Sequence, residues 1–205
     1  MGQIFQHAEK YLDQLGPGRF VEIGTGRAGD DGSTRTLAKW AKQYSPSGWL
    51  TTVDVDPVYC EFVSQMNLEQ VDVVNSTGEE YLKLFPYHTD MISFLYLDNF
   101  DWDWHPDRHV DFIADQKVRY STLGLEMNNV NSQRAHLAQA VEAVHGLAPK
   151  SLVVCDDTWF NPWWGHYSGK SGSVVPFLLN HGFEVLYTEE QPVYGTILGR
   201  GILVR

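Results

Sequence analysis

Cysteine is scarce: of 205 residues, only Cys60 and Cys155 carry thiols. Two thiols so far apart in sequence make neither a metal-type cluster nor a disulfide framework, and the expectation is a reduced, cytoplasmic setting. Positive charge is also in short supply. There are 15 Lys and Arg against 26 Asp and Glu, a net charge of −11. That balance argues against nucleic acid or an anionic membrane as the main partner, and leaves a cationic ligand or a metal ion open. Long apolar runs are missing, and nothing approaches the roughly 18 apolar residues of a membrane span. Gln6, His7, Glu9 and Lys10 stand where a signal peptide would be continuously apolar. Repeats, low-complexity stretches and domain linkers are absent as well. With 43% apolar residues, the chain reads as one globular domain over 1–205 with a full core.

What is present is an alternation of strands and helices. Apolar spacing predicts helices over 3–15, 34–44, 57–68, 77–85, 131–146 and 174–181. Pro57 stands at the start of the third, and Ser33 is placed to cap the second. Strands are expected over 19–23, 49–54, 71–75, 91–97, 152–155, 183–188 and 196–204. The run over 91–97 is almost wholly apolar, as a strand buried on both faces requires. The implied fold class is α/β: a Rossmann-like, doubly wound, mainly parallel seven-stranded sheet with a C-terminal antiparallel hairpin. Residues 99–130 are too long for a plain connection and are expected to form an insertion or lid over the strand ends. Residues 158–173 read as loop.

The stretch 20–34 carries the first chemical signal. An apolar strand runs into a turn containing Gly24, Gly26 and Gly29, and a helix follows. Such a turn lets the backbone approach a nucleotide-like ligand. It matches the dinucleotide fingerprint, but Asp30 and Asp31 sit before the helix and Glu22 lies two residues before Gly24. Carboxylates there repel a pyrophosphate and suit a cationic ligand with sugar hydroxyls.

The pattern Glu22-x-Gly24-x-Gly26 resembles the first motif of class I S-adenosylmethionine (SAM)-dependent methyltransferases. Val53-Asp54-Val55-Asp56-Pro57 resembles their second. The resemblance spans most of 15–204 and implies SAM as cofactor. It implies that Glu22, Gly24, Thr25, Gly26, Asp54 and Val55 hold SAM, with Asp54 on the ribose hydroxyls. Asn75, Ser76 and Thr77 fall where the family contacts adenine.

Two expected strands end in acid: Asp98 after 91–97, and Asp156-Asp157 after 152–155. In a parallel sheet neighbouring strand ends lie together, and three clustered carboxylates repel unless a cation joins them. Oxygen ligands suit Mg²⁺, Mn²⁺ or Ca²⁺. The arrangement resembles the metal-dependent O-methyltransferases of the catechol and macrolide-sugar types. That likeness makes Asp98, Asp156 and Asp157 ligands of a divalent cation, Mg²⁺ first. It implies methylation of a small-molecule hydroxyl, with no nucleic acid or membrane partner and a homo-oligomer left open. Asp98 would sit between cofactor and metal. The catechol-type lysine base is missing, since Asn99, Phe100 and Asp101 occupy its place. The base is open among His105, His109, His166 and Lys170, with His166 and His105 first, or the metal alone lowers the hydroxyl pKa. His136, His145 and His181 fall on expected helices and read as structural.

Trp102, Trp104, Trp159, Trp163 and Trp164 fall in the loops after these strands, to line a substrate pocket or to pack the insertion. Gly169-Lys170-Ser171-Gly172 lacks the spacing of a phosphate loop. Two other readings stay open: an NAD-dependent oxidoreductase using the literal glycine fingerprint, and a non-catalytic methyltransferase-like binding protein.

Overall fold

The computed structural model describes residues 3–26, 32–103, 110–190 and 195–204. Helix α1 (Gln3–Glu9) and a 3-10 turn (Leu12–Gln14) lead into strand β1 (Arg19–Ile23). There follow α2 (Ser33–Tyr44), β2 (Leu50–Asp54), α3 (Pro57–Gln65), β3 (Val71–Asn75), α4 (Gly78–Leu84) and β4 (Ile92–Leu97). The second half comprises α5 (Val110–Thr122), α6 (Asn129–Ala143), β5 (Leu147–Asp156), β6 (Thr158–Asn161), β7 (His166–Gly169), α7 (Val174–Leu179), β8 (Glu184–Thr188) and β9 (Gly195–Arg200).

Side chains cap several helix starts by accepting otherwise unpaired backbone N–H groups. Asp56 accepts from Val58 ahead of Pro57, Thr77 from Glu80, and Asn128 from Asn131. Ser33 is not the cap of α2: Gly32 holds that position and Ser33 is the first helical residue.

Seven strands form one sheet in the order β3-β2-β1-β4-β5-β9-β8. β1 to β5 pair in parallel, while β9 runs antiparallel to both β5 and β8. This is the α/β architecture expected from the alternation. Because strand side chains alternate between faces, each strand feeds two cores. Val21, Ile23, Leu95, Leu97 and Val153 pack against α4, α6 and α7. Phe20, Phe94, Tyr96, Leu152 and Val154 pack against α1 and α2. All six residues of β4 are buried, which explains its apolar run. Each large side chain so buried stabilises the fold by about 1.5–3 kcal/mol.

The structure departs from expectation where local pattern is weak. Residues 99–130 contain α5, and 158–173 contain a β6–β7 ribbon separate from the main sheet. β5 begins at Leu147, not 152: Ile92 pairs with Leu147 and Phe94 with Leu152, so the residues between, Pro149 among them, bulge. A bulge is one of the few places a strand tolerates proline. Among the described residues no helix is long and apolar enough to cross a membrane. Both cysteines are buried and free.

The chain winds outward from β1 to β3, then returns to place β4 on the other side of β1. Such a reversal opens a crevice at the carboxyl ends of the two strands, the usual ligand position in these sheets. Here it sets Ile23 and Gly24 beside Leu97 and Asp98.

Candidate active site

The turn after β1 is shaped by a close approach. Gly24 has φ +101°, and a Cβ there would lie 2.6 Å from the Asn99 nitrogen. Its N–H donates to Val53 O at 2.8 Å, and the Asp98 N–H donates to Ile23 O at 2.8 Å. Gly24 is therefore glycine because two backbones meet there. Beneath the turn lies Glu22, fully buried and accepting from the hydroxyls of Thr34 at 2.7 Å and Thr52 at 2.6 Å. Thr34 Oγ1 in turn accepts from the Gly26 N–H at 2.8 Å. Burial pushes the Glu22 carboxyl up to about 7, against the hydroxyl hydrogen bonds that hold it down. Glu22 supports the loop and does not line the cavity above it. Gly29, Asp30 and Asp31 lie outside the described residues.

The cavity has a volume of about 630 Å³, within the range of small-ligand sites. Gly24, Thr25, Gly26, Asp54, Val55, Ser76, Thr77 and Asp98 line it, so most of the expected SAM residues converge. Asp54 Oδ2 accepts from the Thr25 N–H at 3.1 Å, and Oδ1 from the Asp56 N–H at 2.7 Å. Each oxygen keeps acceptor capacity for a sugar hydroxyl. Asn75 is not in the lining; its amide donates to the carbonyls of Asp54 and Val55, tying β3 to the β2 turn. No motif or spacing along the chain signals the remaining walls. Ile4 and Phe5 come from α1, and Tyr59, Phe100, Arg119 and Tyr120 complete the lining. Arg119 lies 3.7 Å over the Tyr59 ring and pairs with Asp56 at 2.7 Å, fastening α5 to the start of α3.

At the far end of the cavity the strand-end carboxylates do converge, but around an ammonium. Lys170 Nζ donates to Asp98 Oδ1 at 2.7 Å and lies 3.0 Å from Asp157 Oδ2. Its side chain is 1% exposed. Burial disfavours its charge, but the charges of Asp157, Asp98 and Asp156 outweigh that and hold it well above the ordinary lysine range. Tyr96 Oη donates to Asp98 Oδ2 at 3.2 Å, so both oxygens of Asp98 are held. Burial, then the charges of Asp98 and Asp157, push Asp156 well above the ordinary carboxylate range. His136 is buried against Lys170 and the Asn99 backbone, and burial lowers it to about 4. It is a core residue, as its helical position implied.

The expectation of a divalent cation does not fit this geometry. Among the described residues no group of His, Cys, Asp or Glu is arranged to hold a metal ion. Mg²⁺ needs oxygens at about 2.1 Å and Ca²⁺ at about 2.3–2.6 Å, and Lys170 Nζ already fills the space between Asp98 and Asp157. His166 is not brought to Asp98: it sits exposed on β7, beside Trp164 and a smaller hollow lined by Trp102 and Gln133. His105, His109 and Trp104 lie outside the described residues. Nor do the other tryptophans line the large cavity. Trp163 and Trp164 project at the ribbon tip, 92% and 73% exposed. Lys170 is the functional candidate that strand-end reasoning underweighted, because it follows β7, a strand that does not belong to the main sheet.

The fold is that of class I SAM-dependent methyltransferases. No family model matches the chain, and no curated protein does. Among solved structures, a candidate rRNA-methylase from Clostridium thermocellum superimposes with a TM-score of 0.54 at 10% identity, over 97% of both chains. NSun6 from Pyrococcus horikoshii gives 0.55 at 10% identity; the match covers 97% of this chain but only 51% of that one. The N-methyltransferase NodS from Bradyrhizobium japonicum, bound to S-adenosylhomocysteine, gives 0.51 at 13% identity over 97% and 86% of the two chains. None of these is a catechol-type enzyme. The rRNA-methylase match overturns the expectation of a small-molecule substrate with nucleic acid excluded. Net charge describes the whole surface, whereas a partner meets one face of it, and this fold does not bar nucleic acid.

Proposed function

We propose that the chain is a SAM-dependent methyltransferase and that its acceptor atom is a hydroxyl oxygen. One observation supports this above all: a single cavity runs from the glycine turn and Asp54 to Asp98, whose carboxylate is clamped between Tyr96 and Lys170. Asp54 takes the ribose hydroxyls, and Ser76 and Thr77 flank the adenine. Gly24, Thr25 and Gly26 pass under the methionine part, with Glu22 acting through the loop it braces. The lining mixes Asp54, Glu79, Asp98 and Asp101 with Arg35, Lys39 and Arg119, and its carboxylates complement an ammonium and a sulfonium. Asp98 accepts the hydroxyl proton as the oxygen attacks the methyl carbon in line with the departing sulfur. Positioning and charge complementarity supply most of the acceleration. Helix α5 covers the cavity through Arg119 and Tyr120.

The test is calorimetric titration with SAM and with NAD, followed by S-adenosylhomocysteine formation with hydroxyl-bearing acceptors, RNA included, and with amines. SAM binding and turnover on a hydroxyl support the reading. NAD binding without SAM binding overturns it. Turnover on amines alone moves the acceptor from oxygen to nitrogen, and SAM bound without turnover makes the chain a binding protein.

A further inference from the structure

Three acidic side chains at two neighbouring strand ends call for a cation, and the chain carries one of its own. Lys170 is fixed from several directions. Its backbone N–H donates to Asp157 O at 3.1 Å, and the next N–H, of Ser171, donates to Thr158 Oγ1 at 3.0 Å. Gly169, with φ +90°, lets the end of β7 press on Asp157; a Cβ there would lie 1.9 Å from Asp157 O. Asp157 itself has φ +45°, a conformation aspartate tolerates better than most residues. The ammonium is thus held between Asp98 Oδ1 and Asp157 Oδ2 by the backbone on both sides, in a place sealed from water.

We propose that Lys170 is the resident cation of this centre, a positioning residue that occupies the place of a divalent metal and holds Asp98 toward the cavity, so that the reaction needs no metal. The geometry favours this over a metal site awaiting its ion. Nζ stands at 2.7 and 3.0 Å from two of the carboxylates, and a metal at oxygen-ligand distance would have to displace it. An ammonium, unlike a metal, cannot be lost to chelators or exchanged. Lys170 donates to Oδ1 and Tyr96 to Oδ2, which together fix the direction in which the Asp98 carboxylate faces.

The inference rests on the methyltransferase reading only for its kinetic arm. In the binding arm Mn²⁺ is titrated into the full chain and followed by loss of the free-ion electron paramagnetic resonance signal. The wild type is expected to bind none at millimolar concentration. Lys170→Ala, checked for fold by circular dichroism and for SAM binding by calorimetry, is expected to gain a site between the freed carboxylates. Mn²⁺ binding by the wild type that disappears in Asp157→Asn would overturn the proposal, as would a folded Lys170→Ala that binds none. In the kinetic arm wild-type turnover is expected to be unchanged by EDTA; a loss that Mg²⁺ restores overturns the proposal even if Lys170→Ala does not fold. Lys170→Met is expected to lower kcat by about 10-fold or more with SAM affinity near wild type, because Asp98 is no longer held toward the cavity, and Lys170→Arg, which keeps a cation, is expected to lose less; equal kcat in all three proteins overturns the proposal. A chain that turns over no acceptor would sink the methyltransferase reading while leaving the Mn²⁺ result to stand or fall by itself.

Discussion

Replacing Glu22 by Gln should change how stability depends on pH, and the sign is fixed by burial. Glu22 is fully buried, and its carboxyl sits at about 7 in the folded chain against 4.5 in the open. A raised carboxyl favours the folded state fully below pH 4.5, and that contribution is lost as pH climbs through 7. The gap is worth about 3 kcal/mol at about 1.4 kcal/mol per pH unit. His136 works in the opposite direction. It falls from 6.5 to about 4 on folding, so its contribution is present above pH 6.5 and is lost as pH drops toward 4. Between pH 4.5 and 6.5 the two slopes oppose each other in the wild type. Glu22→Gln removes one of them. Urea unfolding followed by tryptophan fluorescence, at steps from pH 4.5 to 7.5, measures the difference between variant and wild type. That difference should drift in favour of the variant by about 3 kcal/mol from the acid end to the neutral end, whatever constant offset the lost hydroxyl bonds leave. A difference that stays flat with pH would show that Glu22 titrates normally and that the buried-brace reasoning is wrong.

Three other outcomes are expected. Gly24→Ala must place a Cβ 2.6 Å from backbone at φ +101°; it should lower the melting temperature and weaken SAM binding together, and an unchanged protein would refute the close-approach account. Asp54→Ala leaves the Thr25 and Asp56 N–H groups without their carboxylate and removes the ribose contact. Its SAM affinity should fall roughly 10- to 100-fold by calorimetry. Asp98→Asn should cut turnover by roughly 10²- to 10⁴-fold while SAM still binds, and equal losses in both would deny Asp98 its role in proton transfer.

The sheet was legible because its signals are local. The apolar run of β4, the glycine stops and the acid at the end of β2 are read one segment at a time. The converging carboxylates were legible too, since strand order in a doubly wound sheet places them. What occupies their centre was not. Lys170 arrives on a ribbon whose strands are short and half exposed, with no apolar alternation to announce them. The cavity walls from α1 and α5 were hidden for a related reason: Phe5 and Arg119 reach the site through tertiary packing, and no spacing along the chain encodes that. Glu22 shows the converse. Its position in the motif was plain, yet its work, bracing the turn from inside through Thr34 and Thr52, depends on the register between β1 and β2. The ligand choice for the carboxylates failed on chemistry: repulsion demands a cation but does not say which.

Helix α1 lends Ile4 and Phe5 to the cavity, yet its seat lies on β5 and β9. β9 comes last among the described strands and lies inside the sheet, between β5 and β8. A contact between segments far apart in the sequence therefore holds this wall of the cavity, and such contacts are slow to form because loop closure must come first. Weakening β9 thus opens the cavity from the side of Ile4 and Phe5 without touching the glycine turn or Asp54.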